Sequence, residues 1–286
     1  MTASPNLTGL APAKINLFLH VGPVADDGYH PLASLVAFAD VGDGVTVTRA
    51  DRLSLDVTGP FGEALAGEGD NLILRGLRAL GEAAGIGAPP VAVTLDKQLP
   101  IAAGLGGGSA DAGTAIRLTA QLLDLGLDEA ALEAVAGVVG ADGPMCLRAR
   151  PAWATGRGGD LRDEPRLPPL HAVLLNPGVA SPTGAVYRAY DDAPKGGADC
   201  PEPPADWSPA AVIDWLKAQR NDLEAPALRV TPSIAEALTA MRAAPGCRLT
   251  RMSGSGATVF GLFDDAASAS HAVGSLQRSG WWRSEE

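Results

Sequence analysis

Lys14, Asn16, Asp142 and the run from Pro100 to Ala110 carry the residue types and spacings in this chain that point to chemistry. The run reads Pro100-Ile101-Ala102-Ala103-Gly104-Leu105-Gly106-Gly107-Gly108-Ser109-Ala110, with four glycines in five positions and a serine after them. A backbone without Cβ atoms can curl around a guest and aim several N–H groups at it, and an anion is the natural guest. The run is not a P-loop, because no lysine follows the glycines. It is not Gly-x-Gly-x-x-Gly either, because Gly104-Leu105-Gly106 is followed by Gly107-Gly108-Ser109. A flexible Gly-Ser linker is the plain alternative. Lys14 and Asn16, two apart on one strand face, aim at the same place, either solvent or a site. Asp142, in Gly140-Ala141-Asp142-Gly143-Pro144, either bonds its own backbone in a turn or serves as a carboxylate beside a reacting group, and the turn alone does not choose. Tyr29 and His30 present flat rings with polar edges, suited to an aromatic ligand or to closing a core edge.

The elements that must position these groups follow from periodicity. Val91-Ala92-Val93-Thr94-Leu95 alternates as a strand does, and Ala112, Ala115, Ile116, Thr119, Leu122 and Leu123 recur at helical spacing. The glycines therefore fall where a helix begins, with its orphan N–H groups and positive dipole end. Ala13 to Val21 reads as a strand with Ile15, Leu17, Leu19 and Val21 on one face and Lys14, Asn16, Phe18 and His20 on the other. Val45–Thr48 and Leu53–Val57 read as a hairpin pair. Asp70 or Asn71 caps a helix running to about Ala84, and a further helix covers Asp128 to Val139. Pro144 is expected to stop regular structure. Gly, Arg, Asp and Pro between Trp153 and Pro169 suggest a domain boundary. A strand at His171 to Pro177, a helix capped near Ser181 or Thr183, an exposed loop from Lys195 to Pro209 and helices at Ala210–Gln219 and Ser233–Ala243 come next. Ser253-Gly254-Ser255-Gly256 is a second glycine turn between strand-like runs, and Asp264 to Arg278 is a closing helix.

Composition limits the partners. The 286 residues, 46% of them apolar, can build real cores, and the net charge of −11, from 22 basic and 33 acidic residues, speaks against nucleic acid or an anionic membrane as a general partner. A phosphate site must then be local. Three cysteines without metal-binding spacing fit a reducing compartment, with the cytoplasm as the expected location. Met1 to Asn6 has neither the basic nor the apolar region of a signal peptide, and no run approaches the ~20 apolar residues of a bilayer span.

Three segments occur together and in order: Pro12-Ala13-Lys14-Ile15-Asn16-Leu17, Leu99-Pro100 through Ala110, and Ser253-Gly254-Ser255-Gly256-Ala257. Together they resemble the three motifs of the GHMP kinases, ATP-dependent kinases of small molecules. Asp27-Gly28-Tyr29-His30, Asp70-Asn71-Leu72-Ile73, Gly140-Ala141-Asp142 and Asn221-Asp222-Leu223-Glu224 resemble one branch of that family, which phosphorylates a hydroxyl of a cytidine-diphosphate-linked polyol.

The resemblance implies an α+β, two-domain GHMP kinase fold. A ribosomal-protein-S5-like, ATP-binding amino-terminal domain would span residues 1–160, and a ferredoxin-like α/β carboxy-terminal domain residues 161–286. It implies Lys14 and Asp142 as the catalytic pair and Pro100, Ile101, Ala102, Ala103, Gly104, Leu105, Gly106, Gly107, Gly108, Ser109 and Ala110 around the ATP phosphates. Asn71 and Lys97 would lie near the adenine, and Asn16, Tyr29, His30 and Tyr187 around the cytidine diphosphate end of the acceptor. Ser253, Gly254, Ser255 and Gly256 would close the site. ATP and Mg²⁺ are the implied cofactors, with the metal held mainly by phosphate oxygens. The implied partner is a small molecule rather than nucleic acid or membrane, and the implied state a monomer or weak homodimer. Two departures stand out: Asp111 occupies a position where the family favours a small or amide residue, and the chain ends at Trp281-Trp282-Arg283-Ser284-Glu285-Glu286, where the family pattern continues into a final strand. Another family member acting on homoserine, mevalonate or a sugar is the alternative enzyme. A ligand-binding regulator that has lost turnover is the non-enzyme alternative, against which the presence of both Lys14 and Asp142 speaks.

Overall fold

Strand β1 (Asn6–Val21) is buried on both faces from Ala11 onward, which removes the solvent reading of Lys14 and Asn16: each is only 6% exposed. It pairs with β2 (Leu32–Arg49). In this computed structural model the described residues are 6–65, 71–194 and 196–284. The Met1–Pro5 terminus, Asp70, Lys195 and the acidic end Glu285-Glu286, on which some sequence expectations fall, lie outside them.

The chain divides into two units that interleave along the sequence: Met1–Lys14, Phe38–Ile101 and Gly106–Ala149 in the first, and Ile15–Ala37, Ala102–Leu105 and Arg150–Glu286 in the second. In the first unit, β3 (Ser54–Thr58), α1 (Leu72–Ala83) and β4 (Val91–Asp96) follow β2, and α2 (Gly107–Leu123), α3 (Glu129–Gly137) and α4 (Gly143–Arg148) complete it. Val91, Val93 and Leu95 of β4 are buried while Thr94 and Asp96 are exposed, as the alternation predicts. The expected hairpin is corrected. β4 lies between the two segments, parallel to β3 from Ser54↔Ala92 to Thr58↔Asp96 and antiparallel to β2 from Gly44↔Asp96 to Arg49↔Val91. Alternation marks a half-buried strand but not its partner, and parallel strands need a crossover, which α1 supplies.

Helix α1 begins where Asn71 Oδ1 accepts the backbone N–H of Ile73 at 2.9 Å. It buries Ile73, Leu77 and Leu80, each worth roughly 1.5–3 kcal/mol relative to exposure. α2 packs on α1 and α4. Pro144 does not stop regular structure; it sits in the first turn of α4, where a helix needs no N–H.

In the second unit, β5 (Ala152–Gly156) pairs with β2 from Leu32↔Gly156 to Val36↔Ala152 and with β6 (Asp160–Asp163), so the Gly- and Arg-rich stretch after Trp153 is a hairpin. The rings of Phe18, Trp153 and Trp215 meet edge-on, with centroids 5.8 to 6.0 Å apart. β7 (His171–Asn176), α5 (Thr183–Asp191), α6 (Pro209–Lys217), α7 (Glu224–Val230), α8 (Ser233–Ala243), β8 (Leu249–Met252), β9 (Val259–Phe263), α9 (Ala266–Ser275) and β10 (Trp282–Arg283) follow. An antiparallel sheet of order β10-β7-β9-β8 packs against α6, α8 and α9. A final strand is therefore present: Trp282 pairs with Asn176 and Arg283 with Leu175.

Helix α5 starts where expected, between Ser181 and Thr183. Its N-cap is Pro182, while Ser181 Oγ donates to the carbonyl of Ser255 at 2.7 Å and Thr183 Oγ1 lies 2.9 Å from Ser255 Oγ. Both hydroxyls hold the second glycine turn instead of the helix end.

Candidate active site

Within the first unit, Lys14 of β1 and Asp142 face one another, Nζ to Oδ2 at 3.2 Å. Asp142 occupies the N-cap position of α4 without making a side-chain cap bond, so its carboxylate is left to Lys14 and to whatever approaches it. The stem of Lys14 lies on Gly106. A Cβ at Gly106 would stand 3.2 Å from both Cβ and Cε of Lys14, and φ there is +62°, where side chains are disfavoured. Cys146 lines the same corner, its Sγ 3.9 Å from the Gly106 carbonyl oxygen. Burial, and next the Asp142 charge, push its thiol far above the usual range, so it is no nucleophile.

Gly106 is also the N-cap of α2. The helix starts without a side-chain cap and without an acid in its first turn. The N–H groups of Gly107, Gly108 and Ser109 have no intrahelical acceptor, and their dipole points the positive end at the glycines. Such a helix start is able to hold an anion, and an ammonium and a carboxylate lie beside this one.

The middle of the glycine run belongs to the second unit, where its backbone is bound on several sides. Ser181 N donates to the Ala102 carbonyl at 3.2 Å, Thr258 N to Ala103 at 3.0 Å and Ser253 Oγ to Gly104 at 2.9 Å. A Cβ at Gly104 would fall 2.3 Å from the Ser253 carbonyl oxygen. Asn16 joins the same cluster: its N–H donates to Ser253 Oγ at 3.2 Å and its Nδ2 to Ser34 Oγ at 2.8 Å. Asn221 Nδ2 donates to the carbonyls of Met252 and Gly254, both at 2.8 Å, and so fixes the Ser253-Gly254 turn. The roles of Ser34, Ser181 and Thr258 here escape a sequence reading. Each is a buried hydroxyl flanked by apolar residues, which is the signal that was there to find.

Asn71 and Lys97 are both buried, at 7% and 2% exposure. The Lys97 ammonium does not stand open: it lies 2.5 Å from Asp43 Oδ2 and 2.7 Å from Asp111 Oδ2. Burial pulls its pKa down, but the charges of Asp111 and Asp43 outweigh that and hold it above the usual lysine range. Burial drives the Asp111 carboxyl the other way from an ordinary acid, up to about 8; Lys97 opposes the rise and the Asp43 charge adds to it.

In the second unit, His30 Nε2 sits 2.7 Å from Asp191 Oδ1, and its ring centroid lies 4.9 Å from that of Tyr187 and 5.7 Å from that of Tyr190. Tyr190 is anchored by its hydroxyl donating to the Val21 carbonyl. Tyr29 is exposed, with the Arg157 guanidinium 4.1 Å from its ring centroid, and Arg157 is paired with Asp27. Three expected acceptor-side residues thus form two neighbouring aromatic features, His30 with Tyr187 and Tyr29 with Arg157. Among the described residues no group of three or more His, Cys, Asp or Glu is placed to hold a metal ion, and no helix is long and apolar enough to cross a membrane.

Comparison with known proteins gives concordant results. A family model described as "GHMP kinases N terminal domain" matches residues 71–149, and one described as "GHMP kinases C terminal" matches residues 210–280. A protein of Caulobacter vibrioides (strain NA1000 / CB15N) named 4-diphosphocytidyl-2-C-methyl-D-erythritol kinase is 50% identical over 281 residues, covering 96% of this chain and 97% of that protein. A protein of the same name from Hyphomonas neptunium is 46% identical over 290 residues, covering 98% of this chain and 96% of that protein. A crystal structure of 4-(cytidine 5'-diphospho)-2C-methyl-D-erythritol kinase superposes with a TM-score of 0.78 at 36% identity, covering 97% of this chain and 98% of that one. A homoserine kinase from Cytophaga hutchinsonii shares the fold, at a TM-score of 0.64 and 16% identity, covering 100% of this chain and 96% of that one.

Proposed function

The chain belongs to the GHMP kinase family, and from that premise we infer that it transfers the γ-phosphoryl group of ATP to the 2-hydroxyl of 4-diphosphocytidyl-2-C-methyl-D-erythritol, in the non-mevalonate route to isoprenoid precursors. The observation that carries the chemistry is the Lys14–Asp142 pair, with the stem of Lys14 packed against Gly106, the N-cap of α2. Phosphoryl transfer asks a protein mainly to position its reactants and to offset charge on the moving group. Asp142 orients the acceptor hydroxyl and takes its proton as the oxygen attacks, and Lys14 holds that oxygen and offsets the charge on the phosphoryl in flight.

The residues from Pro100 to Ala110 wrap the ATP phosphates through backbone N–H groups, those of Gly107, Gly108 and Ser109 above all. Asn71 and Lys97 line the nucleotide side, Lys97 through its place at the end of β4, since its ammonium is already engaged. Asn16, Tyr29, His30 and Tyr187 take the cytidine diphosphate end, and Ser253, Gly254, Ser255 and Gly256 complete the acceptor side. Bound to the phosphate oxygens, Mg²⁺ would offset their charge; the donor set fits that arrangement better than a protein-built cage. The division at residue 160 into ATP-binding and carboxy-terminal domains belongs to this proposal, and the two family models fall on either side of it. So do the cytoplasmic location, a monomeric or weakly dimeric state and the absence of a nucleic-acid partner, to which the net charge of −11 lends support.

The deciding experiment is ADP release from ATP and Mg²⁺ with 4-diphosphocytidyl-2-C-methyl-D-erythritol, beside homoserine and mevalonate. Release with the cytidyl acceptor alone is expected. Preference for either of the others would overturn the substrate, and retained ATP binding with no turnover on any acceptor would point to a regulator.

A further inference from the structure

Both ends of the glycine loop are tied to one buried ammonium. Upstream, Asp43 in β2 accepts the backbone N–H groups of Gln98 and Leu99 on Oδ1, at 2.6 and 2.8 Å, and meets Lys97 Nζ through Oδ2. Downstream, Asp111 in α2 meets the same Nζ through Oδ2. The side chains of all three are 3% exposed or less. The loop between residues 99 and 111 is therefore closed at its base by side chains of residues outside the glycine run. A Cβ at Gly107 would be 3.1 Å from Lys97 Nζ, so the ammonium also sits directly under the first residue of α2.

Two acidic side chains on one ammonium are not an economical way to stabilise a core. Buried ion sets gain little net free energy over apolar side chains of similar size, whereas the geometry they impose is rigid. The second oxygen of Asp111, Oδ1, is buried without a hydrogen-bond partner among the described residues, so even this arrangement is incompletely satisfied. What it does supply is a fixed span between Leu99 and α2. Resting on the reading of Pro100–Ala110 as the ATP loop, we propose that Asp43, Lys97 and Asp111 form a clamp that presets this loop for the ATP phosphates, with Asp111 as a positioning residue. Asp111 touches no phosphate in this account; it acts through Lys97 and the start of α2. Asp111 is the second jaw of the clamp.

The test uses the full-length protein and reads ligand binding separately from turnover. D111A removes the downstream tie and leaves Lys97 and Asp43 as a balanced pair; D111N restores an acceptor oxygen of the same reach. Calorimetric titration with ATP and Mg²⁺ is expected to show D111A weakened about tenfold, since a small misplacement of a preset site is costly. D111N should recover to within about threefold of the parent, and affinity for the cytidyl acceptor should stay within about twofold in both. Parental ATP affinity in D111A, equal losses for both ligands, or a D111N as weak as D111A would overturn the clamp. Hydrogen exchange on the ligand-free parent provides a measurement that needs no variant: the amides of Gln98 and Leu99 should be protected, and exchange at open-loop rates would overturn the proposal. Because neither readout involves phosphoryl transfer, failure of the cytidyl acceptor to react would refute the substrate and leave the clamp standing.

Discussion

Lys14 Nζ lies 3.2 Å from Asp142 Oδ2, a buried ammonium against a carboxylate that is 40% exposed. The asymmetry suits the roles: the cation is held in place by packing, and the acid remains open to an incoming hydroxyl. D142N and K14A should each lower kcat by about 10²- to 10⁴-fold, the range for removing a general acid–base partner, while ATP affinity changes little. ADP-release kinetics alongside calorimetry checks this, and parental turnover in either variant would remove the pair from the mechanism.

Gly104 has φ of +75°, and a Cβ there would lie 2.3 Å from the Ser253 carbonyl oxygen. Both effects oppose any side chain, so G104A should destabilise the protein by about 1–3 kcal/mol and raise the KM for ATP. Thermal melting with and without ATP reads both. An unchanged melting temperature would show that the Gly104–Ser253 approach is not needed.

Asp111 makes stability depend on pH in a stated direction. Its carboxyl is pushed up to about 8 when folded, against an ordinary value of 3.8 in the unfolded chain. The folded state therefore binds more protons between those values, and stability from this group falls as pH rises from about 4 to about 8. D111N lacks the titration. The melting temperature of D111N minus that of the parent should grow across this window and level off above it, whereas a difference independent of pH would contradict the shift.

His30 is seated between Asp191 and the rings of Tyr187 and Tyr190. H30A should raise the KM for the cytidyl acceptor about tenfold, in line with the loss of one base–aromatic stack, and leave the KM for ATP within about twofold. Equal effects on both substrates would place His30 elsewhere in the reaction.

Local pattern was enough to read much of the scaffold. The alternation in Val91–Leu95 marked β4, the 3.6-residue spacing marked α2, and α8 runs from Ser233 to Ala243 as its periodicity indicates. The Asp70-Asn71 pair announced the start of α1 because a cap bonds within its own first turn, and the structure gives that bond to Asn71. The glycine run showed its backbone freedom for a similar reason: freedom from Cβ clashes is a property of residue type and survives without knowledge of the partners.

Other features had no local signature. The pairing of β3 with β4 rather than β2, the turn of Ser181 and Thr183 toward Ser255, and the enclosure of Lys97 by Asp43 and Asp111 all depend on residues 14 to 74 positions away in the chain. Pro144 reads as a breaker because proline disrupts a helix interior, yet it is welcome in a first turn, and only the fold says which it is. The sequence by itself determined the strand or helix character of segments with a clear local pattern, such as β4, α1, α2 and α8, since these follow from short-range sterics and the burial period. The tertiary structure alone decided which strand pairs with which, and what each buried charge faces, because a charge takes its partner from whatever side chain the packing brings within about 3 Å.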